Sequence, residues 1–465
     1  MHTPITNGDD SRLSFWLRVR EFAVPPSMIE TATARRRAGD WAGACAAAGF
    51  DIDIDLRSLA RSHGREVATR VRADLRRLAP DLLRWHLPRV APDGLLRPAL
   101  TISLARYGPS DSRKRCGAAD SIHLVARTAP VWADAGQRVT LALWSGSGSR
   151  ADPHPHPRPN RRFRLDLHRH LWDARVADEF RIRSGAEPRD AAGPVDPELA
   201  ELVPRGSAID RWAAEARILL RAEEQREGPL RVRFGARHEV VVELVPDGDD
   251  PPELRVAETH PRGGVSALPV LPDAATWVPP DLELIRAGAI APGRLHPLVA
   301  AALVPDRAPA DMPRIADRTD QPRLVECRGE HHRIGLVDGV LAALDHDPAE
   351  IRREELLVAL TGTPLPCLQA IDQAHRHPDC LTGVRERLSH GDIPGALAVV
   401  DGLLGPDAVL RDGALRDALA AFAQQRVTYG LFRAGLTGAG FARLQPSPRR
   451  RPDHHRAHPR NATSR

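Results

Sequence analysis

The chain reads as an α+β protein, with helical regions at both ends and an antiparallel sheet between them. Three observations lead there. A twelve-residue signature occurs twice, as Arg35-Arg-Arg-Ala-Gly39-Asp40-Trp-Ala-Gly43-Ala44-Cys-Ala46 and as Arg387-Leu-Ser-His-Gly391-Asp392-Ile-Pro-Gly395-Ala396-Leu-Ala398, with six positions shared. Apolar residues recur at helical spacing from Leu56 to Trp85. Between the two signatures, several segments alternate apolar and polar residues with period two, the pattern of half-solvated strands.

Residues 1–92 form the first helical region. Pro25-Pro26 opens a helix, because Pro is tolerated in a first turn. In each signature Gly supplies the left-handed conformation that closes one helix, Asp caps the next, and the small residues after it let the two helices approach closely. A solenoid needs at least three stacked units, so the two copies read as helical docking surfaces on either side of a sheet, not as a repeat array. Phe50 to Leu56 alternates, as a short strand or a lead into a helix. Asp51, Asp53 and Asp55 resemble the start of a calcium loop, but Leu56 and Ser62 stand where such a loop needs Gly and Glu, so Asp55 reads as a helix cap. Leu56, Leu59, Val67, Val71, Leu75, Leu78 and Leu82 mark one long amphipathic helix or a helix pair, stopped by Pro88.

Residues 93–258 form a β-rich α+β domain. Ala99–Arg106, Ser121–Arg127, Gln137–Trp144 and Arg161–His168 alternate as strands, each with one solvated face. Ser145 to Asn160, rich in Gly, Ser and His-Pro, is expected to be a flexible loop. Ile209–Arg226 reads as a helix, and Leu230–Phe234, Glu239–Val245 and Glu253–Glu258 as further strands. The many Pro residues of 259–322 predict a linker or loosely structured cover. Residues 323–440 begin with a hairpin around Asp338-Gly339 and continue as helical hairpins, the first started by Asp347-Pro348-Ala-Glu350. Residues 441–465 form a disordered basic tail.

Composition limits the function classes. All but one of the 66 basic residues are Arg, the exception being Lys114, and coding in a GC-rich genome accounts for the Arg, Gly and Pro excess. The net charge is +5, and residues 443–465 alone carry +6, which leaves −1 for residues 1–442. The folded body therefore lacks a general footprint for nucleic acid. Five widely spaced cysteines suit a reducing cytoplasm rather than a disulfide framework. Residues 1–20 lack the apolar run of a signal peptide, and no stretch is apolar enough to cross a membrane.

Three candidate sites carry chemistry. Asp166-Leu-His168-Arg-His170 ends a predicted strand and resembles the first metal-binding strand of the amidohydrolase and related metal-dependent phosphoesterase barrels. That resemblance implies a divalent metal that activates water, held by Asp166, His168 and His170. Arg164 shares their face, however, and a hairpin follows instead of alternating helices and parallel strands, so the motif also reads as a solvated sheet face. Cys327, His331, Cys367 and Cys380 contain zinc-ligand types without paired Cys-x2-Cys knuckles; the competing reading of Cys367 is a core thiol. Arg57, Arg61, Arg65, Arg72 and Arg76 form a stripe on the first amphipathic segment, suited to phosphate or an acidic partner, and equally to a solvated face. No phosphate loop, dinucleotide fingerprint or hydrolase elbow is present.

The expectation is a cytoplasmic, bacterial-type protein of the non-catalytic interaction, adaptor or regulatory kind, with other proteins as partners and no cofactor required. The competing expectations are a metal-dependent hydrolase built on the Asp-x-His-x-His motif and a nucleic-acid-associated protein using the Arg stripe and tail.

Overall fold

The computed structural model describes residues 9–108, 121–146, 153–186, 196–235, 238–245, 253–257, 265–305, 323–337, 340–361, 365–376, 381–404, 410 and 412–437. The fold is α+β, with four separate sheets among the described residues. Cys116, Cys380 and the 441–465 tail lie outside the described residues.

Both signatures fold as the same joint. Gly39 and Gly391 take φ of 81° and 85°. Asp40 accepts from the backbone N–H of Gly43 at 2.8 Å, and Asp392 from that of Gly395 at 3.0 Å. Each Asp also pairs with the Arg five residues earlier, Arg35 at 2.8 Å and Arg387 at 2.7 Å. A side chain at Gly43 or Gly395 would collide with the capping carboxylate itself, which explains the second Gly of the pattern. The joints connect the Pro26–Arg37 and Trp41–Ala47 helices, and the Leu381–His390 and Ile393–Leu404 helices.

The run from Leu56 to Trp85 is three helices, Leu56–His63, Arg65–Arg77 and Pro80–His86. Gly64 at φ 95° ends the first, and Pro80, in the first turn of the third, ends the second. Asp55 caps the first through the N–H groups of Arg57 and Ser58.

Strand β1 (Phe50–Asp53) belongs to the central sheet. After the two-residue pair β2 (Arg89–Val90) and β3 (Leu95–Leu96), strands β4 (Thr101–Tyr107), β5 (Ile122–Thr128) and β6 (Val139–Ser145) complete it. The order is β1-β6-β5-β4, with β1 parallel to β6 and the other pairs antiparallel. Strands β4 to β6 fall where the alternation predicts them, but both faces of β4 and β5 are covered instead of one. The cover includes the segment expected to be a flexible loop. Its residues 153–160 pack on the sheet, where His154 reaches the Thr128 carbonyl at 3.1 Å and the Thr101 hydroxyl donates to the His156 carbonyl at 2.6 Å. The polar residues of the alternation thus meet the chain itself in place of water.

The predicted strand Arg161–His168 is a correction. It forms 3-10 turns at Leu165–Leu167 and Arg169–Leu171, and among the described residues its one β-bridge to the sheet runs from Arg164 to Ser103. The 259–322 segment, expected as a linker or loosely structured cover, carries regular structure in its described part. Residues 273–303 form short helices with Pro280 and Pro297 in their first turns, and Leu284, Ile290, Leu295 and Val299 enter the main core. Here Pro starts helices more than it breaks them.

The main core runs across residues 15–302 and joins the first helical region to the sheet. A second core packs the Ile209–Ala222 helix on strands β7 (Gly228–Arg233), β8 (Glu239–Val245) and β9 (Glu253–Val256). A third lies between β10 (Arg323–Cys327), β11 (Glu330–Val337), β12 (Val340–Ala343) and the C-terminal helices. Among the described residues, no helix is long and apolar enough to cross a membrane.

Arg84 connects these parts. Its guanidinium is fully buried and donates to three backbone carbonyls, Ala23 at 3.0 Å, Gln137 at 2.7 Å and His390 at 2.7 Å. The last belongs to the second joint, where Gly391 lies against the Gly136 backbone. The C-terminal helix Ala414–Arg433 adds a second contact. Asp51 receives Arg138, the Tyr429 hydroxyl and Arg433 at 2.7, 2.8 and 3.2 Å. Replacing Arg84 by Met removes a donor from three buried carbonyls, at about 1–3 kcal/mol each. Urea unfolding of Arg84→Met is expected to show a loss of at least about 3 kcal/mol; a loss under about 1 kcal/mol would mean that the carbonyls find other donors.

Candidate functional site

The Arg65–Arg77 helix buries Val67, Val71 and Leu75 and, on the same face, one carboxylate, Asp74. A buried carboxylate requires partners. Tyr107, at the end of β4, donates its hydroxyl to Asp74 at 2.7 Å, and Arg169 donates at 2.6 Å. Arg169 also reaches Asp173 at 2.7 Å and lies over the Trp172 ring at 4.6 Å. Burial works against the charge of Arg169, but its hydrogen bonds to Asp74 and Asp173 outweigh that and hold it above the usual range. Burial and the Asp74 charge push the Tyr107 phenol up, so it remains a donor.

This fixed Asp74–Arg169–Asp173 unit is the floor of a cleft of about 480 Å³, a size typical of ligand sites. Arg70, Arg77, Arg106 and Arg175 complete its basic lining. Arg70 lies over the Tyr107 ring at 5.5 Å. Arg106 leans away towards Asp166 at 3.4 Å and Glu223 at 3.7 Å. Among the described residues, no carboxylate forms an ion pair with Arg70, Arg77 or Arg175, so three unpaired guanidinium groups stand above a floor whose two carboxylates exceed its one guanidinium by a single negative charge. Such a cleft can hold carboxylates or a phosphate through guanidinium forks.

The stripe Arg57, Arg61, Arg65, Arg72 and Arg76 is exposed and does not line this cleft. The break at Gly64 divides the stripe between two helices. Arg70 and Arg77, on the Arg65–Arg77 helix but off the stripe, are the ones that line the cleft, Arg70 over the Tyr107 ring.

The Asp-x-His-x-His residues do not gather into a metal-capable group. Arg164 holds Asp166 through two bonds of 2.8 and 2.9 Å. His168 turns to Glu215 at 3.2 Å, and Glu215 is also gripped by Arg183 at 2.6 Å. Burial raises the Glu215 carboxyl, but His168 and Arg183 more than reverse this and hold it well below the carboxylate range. His170 packs against Phe180 beside a cavity of about 40 Å³, also lined by His86, Arg211 and Asp273, too small for a substrate.

Of the Cys and His residues chosen from the sequence, Cys327 and Cys367 come together. His331 is exposed, and Cys380 lies outside the described residues. The histidine that joins the two thiols is His346, which sequence spacing did not single out; its only signal is its place just before the Asp347-Pro348 helix start.

Several buried histidines are held neutral. Burial, then the Arg106 charge, lowers His123 to about 4; burial, then Arg89 and Arg84, lowers His390 to about 3. His86 and His170 are also well below the usual value, chiefly through burial. The unfolded chain therefore binds more protons below about pH 6.5, and the stability these groups confer, full above that pH, is lost as pH falls towards their folded values. The unfolding free energy is expected to decline from pH 7 to 5, by at most about 1.4 kcal/mol per pH unit for each histidine and less where solvent screens it. A flat profile over that range in urea titrations would contradict the neutral assignment.

No family model, curated protein or solved structure matches this chain.

Proposed function

We propose that the protein is a non-catalytic interaction protein that recognises an acidic segment of a partner protein in its arginine-lined cleft. The observation that carries this reading is the set of Arg70, Arg77 and Arg175 around the fixed Asp74–Arg169–Asp173 floor. A concavity of about 480 Å³ suits a few carboxylate side chains more than a continuous polyanion. The net charge of −1 over residues 1–442 supplies little long-range attraction for nucleic acid. The buried free thiols of Cys45, Cys327 and Cys367 support a reducing, cytoplasmic setting for this role.

Fluorescence anisotropy with a labelled hexaglutamate peptide and a labelled single-stranded DNA tests the reading. Arg70→Glu combined with Arg77→Glu is expected to weaken peptide binding by at least about 10-fold, or about 1.4 kcal/mol, while Arg61→Glu combined with Arg65→Glu leaves it within about 2-fold. Peptide affinity unchanged by the first pair would overturn the proposal. So would DNA binding that exceeds peptide binding and is lost with the second pair.

A further inference from the structure

The C-terminal unit has a thin core at one end of its sheet. Its three-stranded sheet leaves Leu324 61 % and Val337 50 % exposed, and among the described residues the buried cluster at the turn end of the sheet comprises Cys327, Ala343, Leu365 and Cys367, with Val325, Ile351 and Leu368 partly buried against it. Small units with thin cores commonly depend on a crosslink or a metal. At that end three side chains with soft or borderline donor atoms meet.

Each arrives from a different element. Cys327 is the last residue of β10, just before a turn in which Arg328 and Gly329 have φ of 57° and 85°, the pair of left-handed residues that a two-residue hairpin requires. His346 lies between β12 and the Pro348–Thr361 helix, and Cys367 is in the first turn of the Pro366–Arg376 helix. Both thiols are fully buried and the His346 side chain is 4 % exposed. One donor atom from each of the three lies within 4.8 Å of the other two. Tetrahedral zinc, with bonds of about 2.0–2.3 Å, asks for separations of about 3.5–3.8 Å, so side-chain movements of about 1 Å complete the geometry.

The surroundings fit a ligand set. His346 Nε2 is buried and has no hydrogen-bond partner among the described residues, whereas Nδ1 faces Glu350 at 3.6 Å. That is the orientation in which a carboxylate holds the outer nitrogen and leaves the inner one for a metal. Glu350 is fixed in turn by Arg328 of the hairpin turn at 2.6 Å. His332 stacks on His346 with ring centroids 4.1 Å apart, and its buried Nδ1 likewise has no partner among the described residues.

We propose that this unit binds one Zn²⁺ ion through Cys327 Sγ, Cys367 Sγ and His346 Nε2, with His332, stacked on His346, as a further donor. The ion is structural: it clamps the β10–β11 turn to the starts of two helices. The thiols coordinate as thiolates and release their protons to solvent. This proposal is independent of the arginine-lined cleft.

The test uses the full chain purified without chelator. Elemental analysis is expected to find about one zinc per chain, and Co²⁺ titration of the metal-free protein to give a thiolate-to-cobalt charge-transfer band with tetrahedral d–d bands. His346→Ala is expected to abolish the cobalt spectrum, Glu350→Gln to weaken binding by about 10–100-fold, and His331→Ala to leave it unchanged. The wild-type cobalt spectrum needs no variant, so a Cys327→Ser or Cys367→Ser protein that fails to fold does not hide the answer. Less than about a tenth of an equivalent of zinc, together with no thiolate band on cobalt titration, would overturn the proposal. So would an undiminished spectrum in His346→Ala, or thiol titration showing Cys327 and Cys367 joined as a disulfide.

Discussion

The fold depends on one buried cation. Among the described residues Arg84 forms no ion pair, and it spends its donors on the carbonyls of Ala23, Gln137 and His390, which lie 61, 53 and 306 residues away. Burial, then the repulsion of Arg138, lowers its pKa to about 10, still far enough above neutrality to keep the charge. A flat guanidinium can serve three acceptors at once, which the point charge of Lys cannot do in the same geometry. Each acceptor is presented by a chain reversal: the end of the Val19–Ala23 turn, Gln137 at φ 56°, and the helix end before Gly391. Arg89 secures the cation from behind by donating to the carbonyl of Arg84 itself at 2.8 Å.

The same economy recurs elsewhere. Arg169 ties the Arg65–Arg77 helix to the 169–176 segment and so sets the floor of the cleft. Arg183 and His168 fix Glu215, which joins the second core to the main one. In a chain with one Lys and 4 % aromatic residues, arginine carries much of the positioning that aromatic packing or mixed ion pairs supply in other proteins. The consequence for function is that Arg84, Arg164, Arg169 and Arg183 are already engaged inside the fold. The small set at Arg70, Arg77 and Arg175 stands out because its neighbours are satisfied.

The local chemistry of the chain was legible in its sequence. The Gly-Asp joints, the Asp55 cap, the strands from Thr101 to Ser145 and the Asp347-Pro348 helix start all follow from residues within a few positions of one another. What was not legible depends on distant partners. A helical wheel separates Arg70 from Arg72 only by angle, and nothing near them says that Tyr107 and Arg169 will close around Asp74. His346 shares no knuckle spacing with Cys327 or Cys367, because three separate elements bring them together. The Arg161–His168 alternation failed as a strand because β4 already had β5 on one side and needed a cover, not another full partner, on the other. The abundance of Arg throughout the chain also hid the few that matter at the cleft.

The edges of the central sheet carry one more consequence. On one side β1 is only four residues long and presents Asp51 and Asp53, the former engaged by the C-terminal helix. On the other side β4 is closed by Arg164 against Ser103 and by the N–H of Asn160 donating to the Thr101 carbonyl. Neither border offers the long open row of backbone groups on which a foreign strand could add. At this sheet, selectivity towards other molecules must then reside in side chains, and changes there can retune what it meets without exposing the strands to aggregation.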